Sequence, residues 1–311
     1  MKEIIKGLLF KLGLKKYQWK FITRYIIQTK NRILYSNNKR AEKFIEKEFK
    51  EALGYEINFK EKMGGGGTFN QKIQYRKLYP DNKLYSKCTD KYLVREYVKQ
   101  KIGEKYLTKL YLVTNKLTLE EWDKLPNSFV IKSNHDSGNV KIIRDKSKVV
   151  NPMEIIKEMN LSLKINFGWY KLEKHYISIK PKLIVEELLT TKSGEIPKDY
   201  KLHMFKDRLF IQIDTDRFIE HKRNIYDENM NKMDFQMKSN YKSFEEEIKI
   251  NNLGEMKSIA KKLASDFDYV RVDLYEIEGR IYFGELTFTH EGGLGDVKPI
   301  EWDYKLGEYW K

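Results

Sequence analysis

Apolar and polar positions alternate with a period of two along residues 269–277 and 281–288, YVRVDLYEI and IYFGELTF. Two strands joined by a turn are the expected structure. Val270, Val272 and Leu274 share one face of the first strand; Arg271, Asp273 and Tyr275 share the other. A three-residue turn, Glu278-Gly279-Arg280, sets Asp273 opposite Glu285 and Val272 opposite Leu286, keeping one face apolar. A two-residue turn would set Glu285 against Val272 and mix the faces. The expected register therefore places two carboxylates side by side, where they repel. Arg271 is one candidate to offset that repulsion. A magnesium ion held by one or two carboxylates plus substrate phosphates is the other. From the hairpin alone, a solvated polar face fits equally well.

Helical and strand periods continue along the chain. Residues 1–53 have helical spacing, ending in RAEKFIEKEFKEAL (40–53) before Gly54. MGGGGTFN (63–70) reads as a linker or tight loop; no Lys-Ser/Thr follows, so it is not a P-loop. DKYLVREYVKQKIGEKYL (90–107) predicts a helix with Asp90 as N-cap. SFVIKSN (128–134) and VKIIRD (140–145) predict a strand and its return, followed by a helix at 152–162. KLIVEELL (182–189) is a compact apolar strand carrying two acids. DYKLHMFKDRLFIQIDTD (199–216) alternates like a hairpin turning at Lys206–Arg208, and 253–266 predicts a helix. Several hairpins among helices imply an α+β fold with largely antiparallel sheets. The expected division is 1–62, 63–128, 129–190 and 191–311.

Composition narrows the function. Of 311 residues 41% are hydrophobic and 14% aromatic, enough for a core. The single cysteine, Cys88, excludes an internal disulfide framework and fits a reducing, cytoplasmic setting. The net charge is +15, of which +10 falls in residues 1–50. Charge confined to one segment, with no RRM, KH or helix-turn-helix signature, argues against a nucleic-acid partner. No 18-residue apolar run occurs, and the run at 7–10 is too short for a signal peptide. Ile4, Ile5, Leu8, Leu9 and Leu12 recur at helical spacing with lysines opposite. Such a helix fits packing on the body, an anionic membrane surface at the inner face, or a partner protein.

Three segments carry candidate chemistry besides the hairpin pair. Lys132 stands at the end of a strand before the small-residue loop HDSGN, able to meet phosphates or simply solvent. Glu186 and Glu187 end an apolar strand, suited to ribose hydroxyls or to a strand entering solvent. His135 and His290 sit beside candidate site loops. No HxH, HExxH or GxSxG pattern occurs, which excludes the common zinc and serine-nucleophile designs.

Taken in order, GTFNQKIQYRKLY, TDKYLVREYVKQKIGEKYL, LPNSFVIKSNHDSG, KPKLIVEELL, IPKDYKLHMF and YVRVDLYEIEGRIYFGELTFTHEGG resemble the ATP-grasp superfamily. The resemblance is to its branch associated with teichuronopeptide and other surface-polysaccharide biosynthesis. It runs from about residue 67 to the C-terminus. It implies two α+β subdomains gripping ATP, preceded by a helical, basic N-terminal extension. It also implies ATP and Mg2+ as cofactors. Lys91 and Lys132 would hold phosphates, Glu186, Glu187 and the Leu188 backbone the ribose and base, and Lys201 a phosphate. Arg271 would stabilise the transferring phosphoryl group, while Asp273, Glu285 and Thr287 bind magnesium. Thr287 stands where the family has Asn, a shorter neutral oxygen ligand. Residues 289–293 would be the acceptor-side loop. The implied activity is a carboxylate–amine ligase working through an acyl phosphate. A glycosyltransferase or glycan kinase of polysaccharide biosynthesis is the alternative. Implied partners are a polysaccharide or lipid-linked glycan precursor and an amine or amino acid.

Overall fold

The computed structural model describes residues 14–59, 67–215, 220–246 and 248–311. Expectations for residues 1–13, including the Ile4–Leu12 pattern, and for the glycines 64–66 lie outside the described residues. The described chain opens with helices α1 (Lys16–Leu34) and α2 (Asn38–Leu53), then α3 (Phe69–Leu78), α4 (Leu84–Thr89) and α5 (Val94–Ile102). Strand β1 (Leu110–Thr114), helix α6 (Leu119–Lys124), strands β2 (Phe129–Ser133) and β3 (Val140–Ile143), helices α7 (Pro152–Ser162) and α8 (Phe167–Lys171) and strand β4 (Leu183–Glu186) follow. Strands β5 (Asp199–Phe205), β6 (Leu209–Thr215), β7 (Lys222–Tyr226) and β8 (Gln236–Met237) precede helix α9 (Leu253–Ala264). The chain closes with β9 (Tyr269–Ile277), β10 (Arg280–Thr287), β11 (Val297–Lys298) and α10 (Glu301–Tyr309).

These elements form two compact units. The first holds residues up to Ala41 together with Asp90–Tyr92 and Thr108–Leu188. Its sheet is antiparallel in the order β1-β4-β2-β3. Phe129, Ile131, Leu183 and Val185 point to one face and pack on Trp122 of α6 and on Ile156 and Met159 of α7. Val130, Lys132, Ile184 and Glu186 alternate onto the other face. Helix α1 docks by polar clamps: Asn31 donates to the Tyr170 carbonyl (3.2 Å), and Gln28 accepts from the Asn166 amide (2.7 Å).

The second unit holds Glu42–Thr89, Leu93–Leu107 and Leu189–Lys311. Its antiparallel sheet has the order β10-β9-β5-β6-β7. Leu202, Ile211, Ile213, Val270, Val272 and Leu274 cover α9 through Met256, Ile259, Ala260 and Leu263, and cover α5 through Val98. This is the apolar face the alternation predicts. One end of the opposite face holds an aromatic cluster around Phe69, Phe210, Tyr269 and Trp310. The rest of that face is charged.

Helix α3 packs on this same face, placing Phe69 and Ile73 in the aromatic cluster. Thr68 caps it and accepts from the Gln71 amide, while the Gln71 side chain returns to the Thr68 amide. Gly307 of α10 approaches so closely that a Cβ would lie 2.2 Å from the Gly67 carbonyl oxygen, so only glycine fits.

The helix expected at 90–107 is shorter. It spans Val94–Ile102, and Asp90 is not its N-cap: the Asp90 carboxylate accepts from the Tyr92 amide in a turn. The physical reason is docking. The Lys91 amide donates to the Asn134 carbonyl (3.0 Å) beyond β2, so Asp90–Tyr92 belongs to the first unit and α5 to the second.

Candidate active site

The β9–β10 turn has two residues, Glu278 (φ 52°) and Gly279 (φ 82°), not the three expected. Both central residues at positive φ match the twist of a two-residue hairpin. Near the turn, Ile281 faces Glu276 and Phe283 faces Leu274. The register then shifts by one residue at Gly284, and Glu285 faces Asp273 as expected. The bulge restores what the shorter turn takes away. It needs glycine, because a Cβ at Gly284 would sit 2.9 Å from the Asp273 carbonyl oxygen.

Arg271 resolves the repulsion between the two acids. Its Nε and one terminal nitrogen donate to the two Asp273 oxygens at 2.7 Å each. The same terminal nitrogen reaches Glu285 Oε1 (3.1 Å) and Thr287 Oγ1 (3.0 Å). The other terminal nitrogen donates to His290 Nδ1 (2.9 Å). Because arginine only donates, His290 must accept at Nδ1 and carry its proton on Nε2. Burial pushes the Asp273 carboxyl up to about 7, against the pull of Arg271. Burial holds His290 neutral, well below the ordinary histidine value, and the nearby His203 and Arg271 add to the effect.

The polar layer continues across the sheet. Lys201 lies opposite Asp273 on β5, bonds Asp199 and stands 3.5 Å from Asp214. Arg223 on β7 clamps Asp214 at 2.6 and 3.2 Å. Burial opposes the charge on Asp214, but the Arg223 bonds outweigh it and hold its carboxyl below the usual range. His203 lies between, fully buried, linking Tyr269 (3.0 Å) and Gln212 (3.1 Å), and burial drives it down to about 3. Asp199, His203, Gln212, Asp214 and Arg223 were not among the residues expected from sequence. Their signal is the polar half of the alternation in DYKLHMF and IQIDT.

Three cations (Lys201, Arg223, Arg271) meet four carboxylates (Asp199, Asp214, Asp273, Glu285) in this layer. With all four ionised, acid exceeds base by one, and a divalent cation would invert the sign. Among the described residues no group of three or more His, Cys, Asp or Glu is gathered around one point. Asp273, Glu285 and the Thr287 hydroxyl are instead a sparse set of hard oxygen donors. Such a set suits magnesium that takes its remaining ligands from phosphates and water.

In the first unit, Lys132 Nζ pairs with Glu186 Oε2 at 2.8 Å on one face of the sheet. Glu186 is buried and Glu187 is exposed, with its amide bonded to the Lys109 carbonyl (2.9 Å); Leu188 is half-buried. The Lys91 ammonium donates to the Asp136 carbonyl. Lys91, Lys132 and Glu186 thus gather at β2 and the loop after it. His135 in that loop is a buried pin, with Nε2 bonded to the Ile165 carbonyl at 2.9 Å.

Two α+β units, each built on an antiparallel sheet, have the make-up of the ATP-grasp fold, for which ATP and Mg2+ are the typical cofactors. The TupA-like ATPgrasp family profile matches residues 71–311, and the chain belongs to that family. Solved structures give distant likenesses. A D-alanine–D-alanine ligase from Bacillus anthracis complexed with ATP is 16% identical, with 67% of this chain and 56% of that one covered and a TM-score of 0.39. A D-alanine–D-alanine ligase from Helicobacter pylori is 17% identical, with 79% and 70% covered and a TM-score of 0.38. The ATP-grasp ligase PsnB complexed with minimal precursor, Mg and ADP is 12% identical, with 67% and 52% covered and a TM-score of 0.37. The chain spans little more than half the length of the first of these. No curated protein matches the sequence.

Proposed function

We propose that the protein is an ATP- and magnesium-dependent carboxylate–amine ligase of cell-surface polysaccharide biosynthesis, joining an amine or amino acid to a uronic acid of a glycan or its lipid-linked precursor. The observation that carries the ligase reading is the register of β9 and β10. It sets Asp273 opposite Glu285 with Arg271 bonded to both. The polysaccharide setting rests on the family resemblance of the sequence.

In this reading a substrate carboxylate oxygen attacks the γ-phosphorus of ATP, and ADP leaves. The amine then attacks the acyl carbon, inorganic phosphate leaves, and the amine nitrogen gives up a proton. Phosphoryl transfer needs position and charge more than a protein nucleophile. Asp273, Glu285 and Thr287 would hold magnesium, which neutralises charge on the phosphates. Arg271 and Lys201 face the transferring group. Lys91 and Lys132 take phosphate oxygens, and Glu186, Glu187 and the Leu188 backbone take ribose and base. Neutral His290 offers an Nε2–H donor from the acceptor-side loop.

Two measurements test this. Asp273→Asn and Glu285→Gln should each lower magnesium-dependent affinity for a non-hydrolysable ATP analogue by at least about tenfold, as expected for losing one hard ligand. Unchanged affinity in both would overturn the metal site. ATP turnover with uronic acids in hydroxylamine should yield hydroxamates, the trapped acyl phosphate. A stable phosphorylated glycan in place of hydroxamate would mean a glycan kinase. Thermal stabilisation by UDP-sugars and not by ATP would mean a glycosyltransferase.

A further inference from the structure

Helix α1 is held in a fixed rotational setting by its inner face. Arg24 donates to Asn139 (3.1 Å) and lies over the Tyr170 ring, while Gln28 and Asn31 bond the backbone around α8. Those anchors decide what the helix turns outward. Tyr25, Ile26 and Ile33 are 50%, 46% and 63% exposed. Ile26 and Ile33, seven residues apart, lie on one helical face with half-buried Ile22 one turn before them and Tyr25 beside them, while Thr29 between them turns its hydroxyl onto the Tyr25 carbonyl (2.9 Å). Exposed Lys30 borders this face on one side and exposed Arg32 on the other. The helix carries five basic residues and no acidic one. Three large apolar side chains exposed on one helix face between basic flanks form a cluster, whereas apolar residues scattered singly over a water-facing surface are the norm.

We propose that the outward face of α1 seats the protein on an anionic phospholipid surface. The charge pattern selects this occupant. Lipid headgroups with negative charge complement Lys30 and Arg32, while Ile26 and Ile33 enter the boundary beneath the headgroups. Tyr25 has an apolar ring and a polar hydroxyl, which suits the headgroup level. A protein partner would need acids opposite both flanks and an apolar surface fitted between them; a lipid surface supplies both without a matched shape. None of the described helices is long and apolar enough to cross a membrane, so the mode is lying on the surface. Lipid-linked acceptors would then be presented to an enzyme already at the surface. This docking is independent of the ligase reading, because no α1 residue takes part in the candidate active site.

The test is co-sedimentation of the full-length protein with large vesicles of phosphatidylcholine, with and without phosphatidylglycerol. Binding should require phosphatidylglycerol and should weaken as sodium chloride screens the charges. Ile26→Asp/Ile33→Asp and Lys30→Glu/Arg32→Glu should each reduce the bound fraction at least about tenfold, since one removes insertion and the other the headgroup attraction. All four positions are exposed, so thermal unfolding of both variants should match the parent and exclude misfolding as the cause. Three outcomes overturn the proposal: no phosphatidylglycerol-dependent binding, binding unchanged in both variants, or a solution dimer that Ile26→Asp/Ile33→Asp converts to monomer. The last would assign the face to a second copy of the chain.

Discussion

Lys132 and Arg271 are cations on antiparallel sheets with opposite surroundings. The Lys132 side chain is 26% exposed, and Glu186 receives its ammonium. The Arg271 side chain is 10% exposed and engages Asp273, Glu285, Thr287 and His290 together. A partly exposed ammonium on a flexible stem can leave one acid for another oxygen at little cost. A planar guanidinium with this many fixed acceptors is already organised before any ligand arrives. The first unit therefore offers an adjustable charge, and the second a rigid template.

Breaking the template should cost most. Arg271→Met leaves Asp273 and Glu285 facing each other, a loss of about 4–5 kcal/mol of unfolding free energy, the upper range for unpairing buried charges. A urea titration of the variant reads it directly. Asp214→Asn should cost less, about 3 kcal/mol, by removing the closest counter-charge of Arg223 and leaving it only Glu291 at 3.5 Å. It also has a pH signature. The folded Asp214 carboxyl lies below its ordinary 3.8, so the folded state binds fewer protons than the unfolded chain near that pH. Its stabilisation is complete above the unfolded value and is lost as pH falls through the folded one. Urea midpoints measured down the acid limb should fall less steeply in the variant than in the parent.

Gly284→Ala attacks the bulge. The added methyl meets the Asp273 carbonyl, and the strain should cost about 2 kcal/mol. If magnesium-dependent nucleotide affinity falls further than stability does, the bulge sets the carboxylate pair rather than merely the strand. Lys132→Met should cost about 1–2 kcal/mol, because buried Glu186 loses a cation that is itself partly exposed. Its main effect belongs to nucleotide affinity, measured by calorimetry. Equal destabilisation by Lys132→Met and Arg271→Met would erase the contrast between the units.

The facing of Asp273 and Glu285 was legible in the sequence, but for an incomplete reason. Alternation fixes which residues share a face, and Val272 with Leu286 demanded one relative placement. A shorter turn and a one-residue bulge reach the same placement by cancelling. Gly284 inside YFGEL is the mark of that bulge, since glycine within a strand signals close backbone approach. Helix α3 was not legible by period, because Lys72, Gln74, Arg76 and Lys77 are buried along with its apolar residues. Only its capping pair, Thr68 and Gln71, betrays it. The polar side of β5 and β6 was visible as alternation. That it forms a buried charge layer depends on β7 and β9, which sequence spacing does not place beside it. The early start expected for α5 failed because Asp90–Tyr92 serves the other unit.

Arg76 of α3 bears on the order in which the chain can fold. It donates to the carbonyls of Tyr269 and Phe288 and pairs with Asp268, partners 192 to 212 residues further along. Trp310 stacks on it at 4.0 Å. During synthesis α3 thus emerges long before anything that can neutralise its buried guanidinium. The sheet of the first unit is drawn from the continuous stretch 108–188 and can close earlier. Non-local pairing of this kind is slow, and domains finish as their last strands arrive. The adjustable lysine unit should therefore fold first on the ribosome, and the rigid template should assemble only with the final strands and α10.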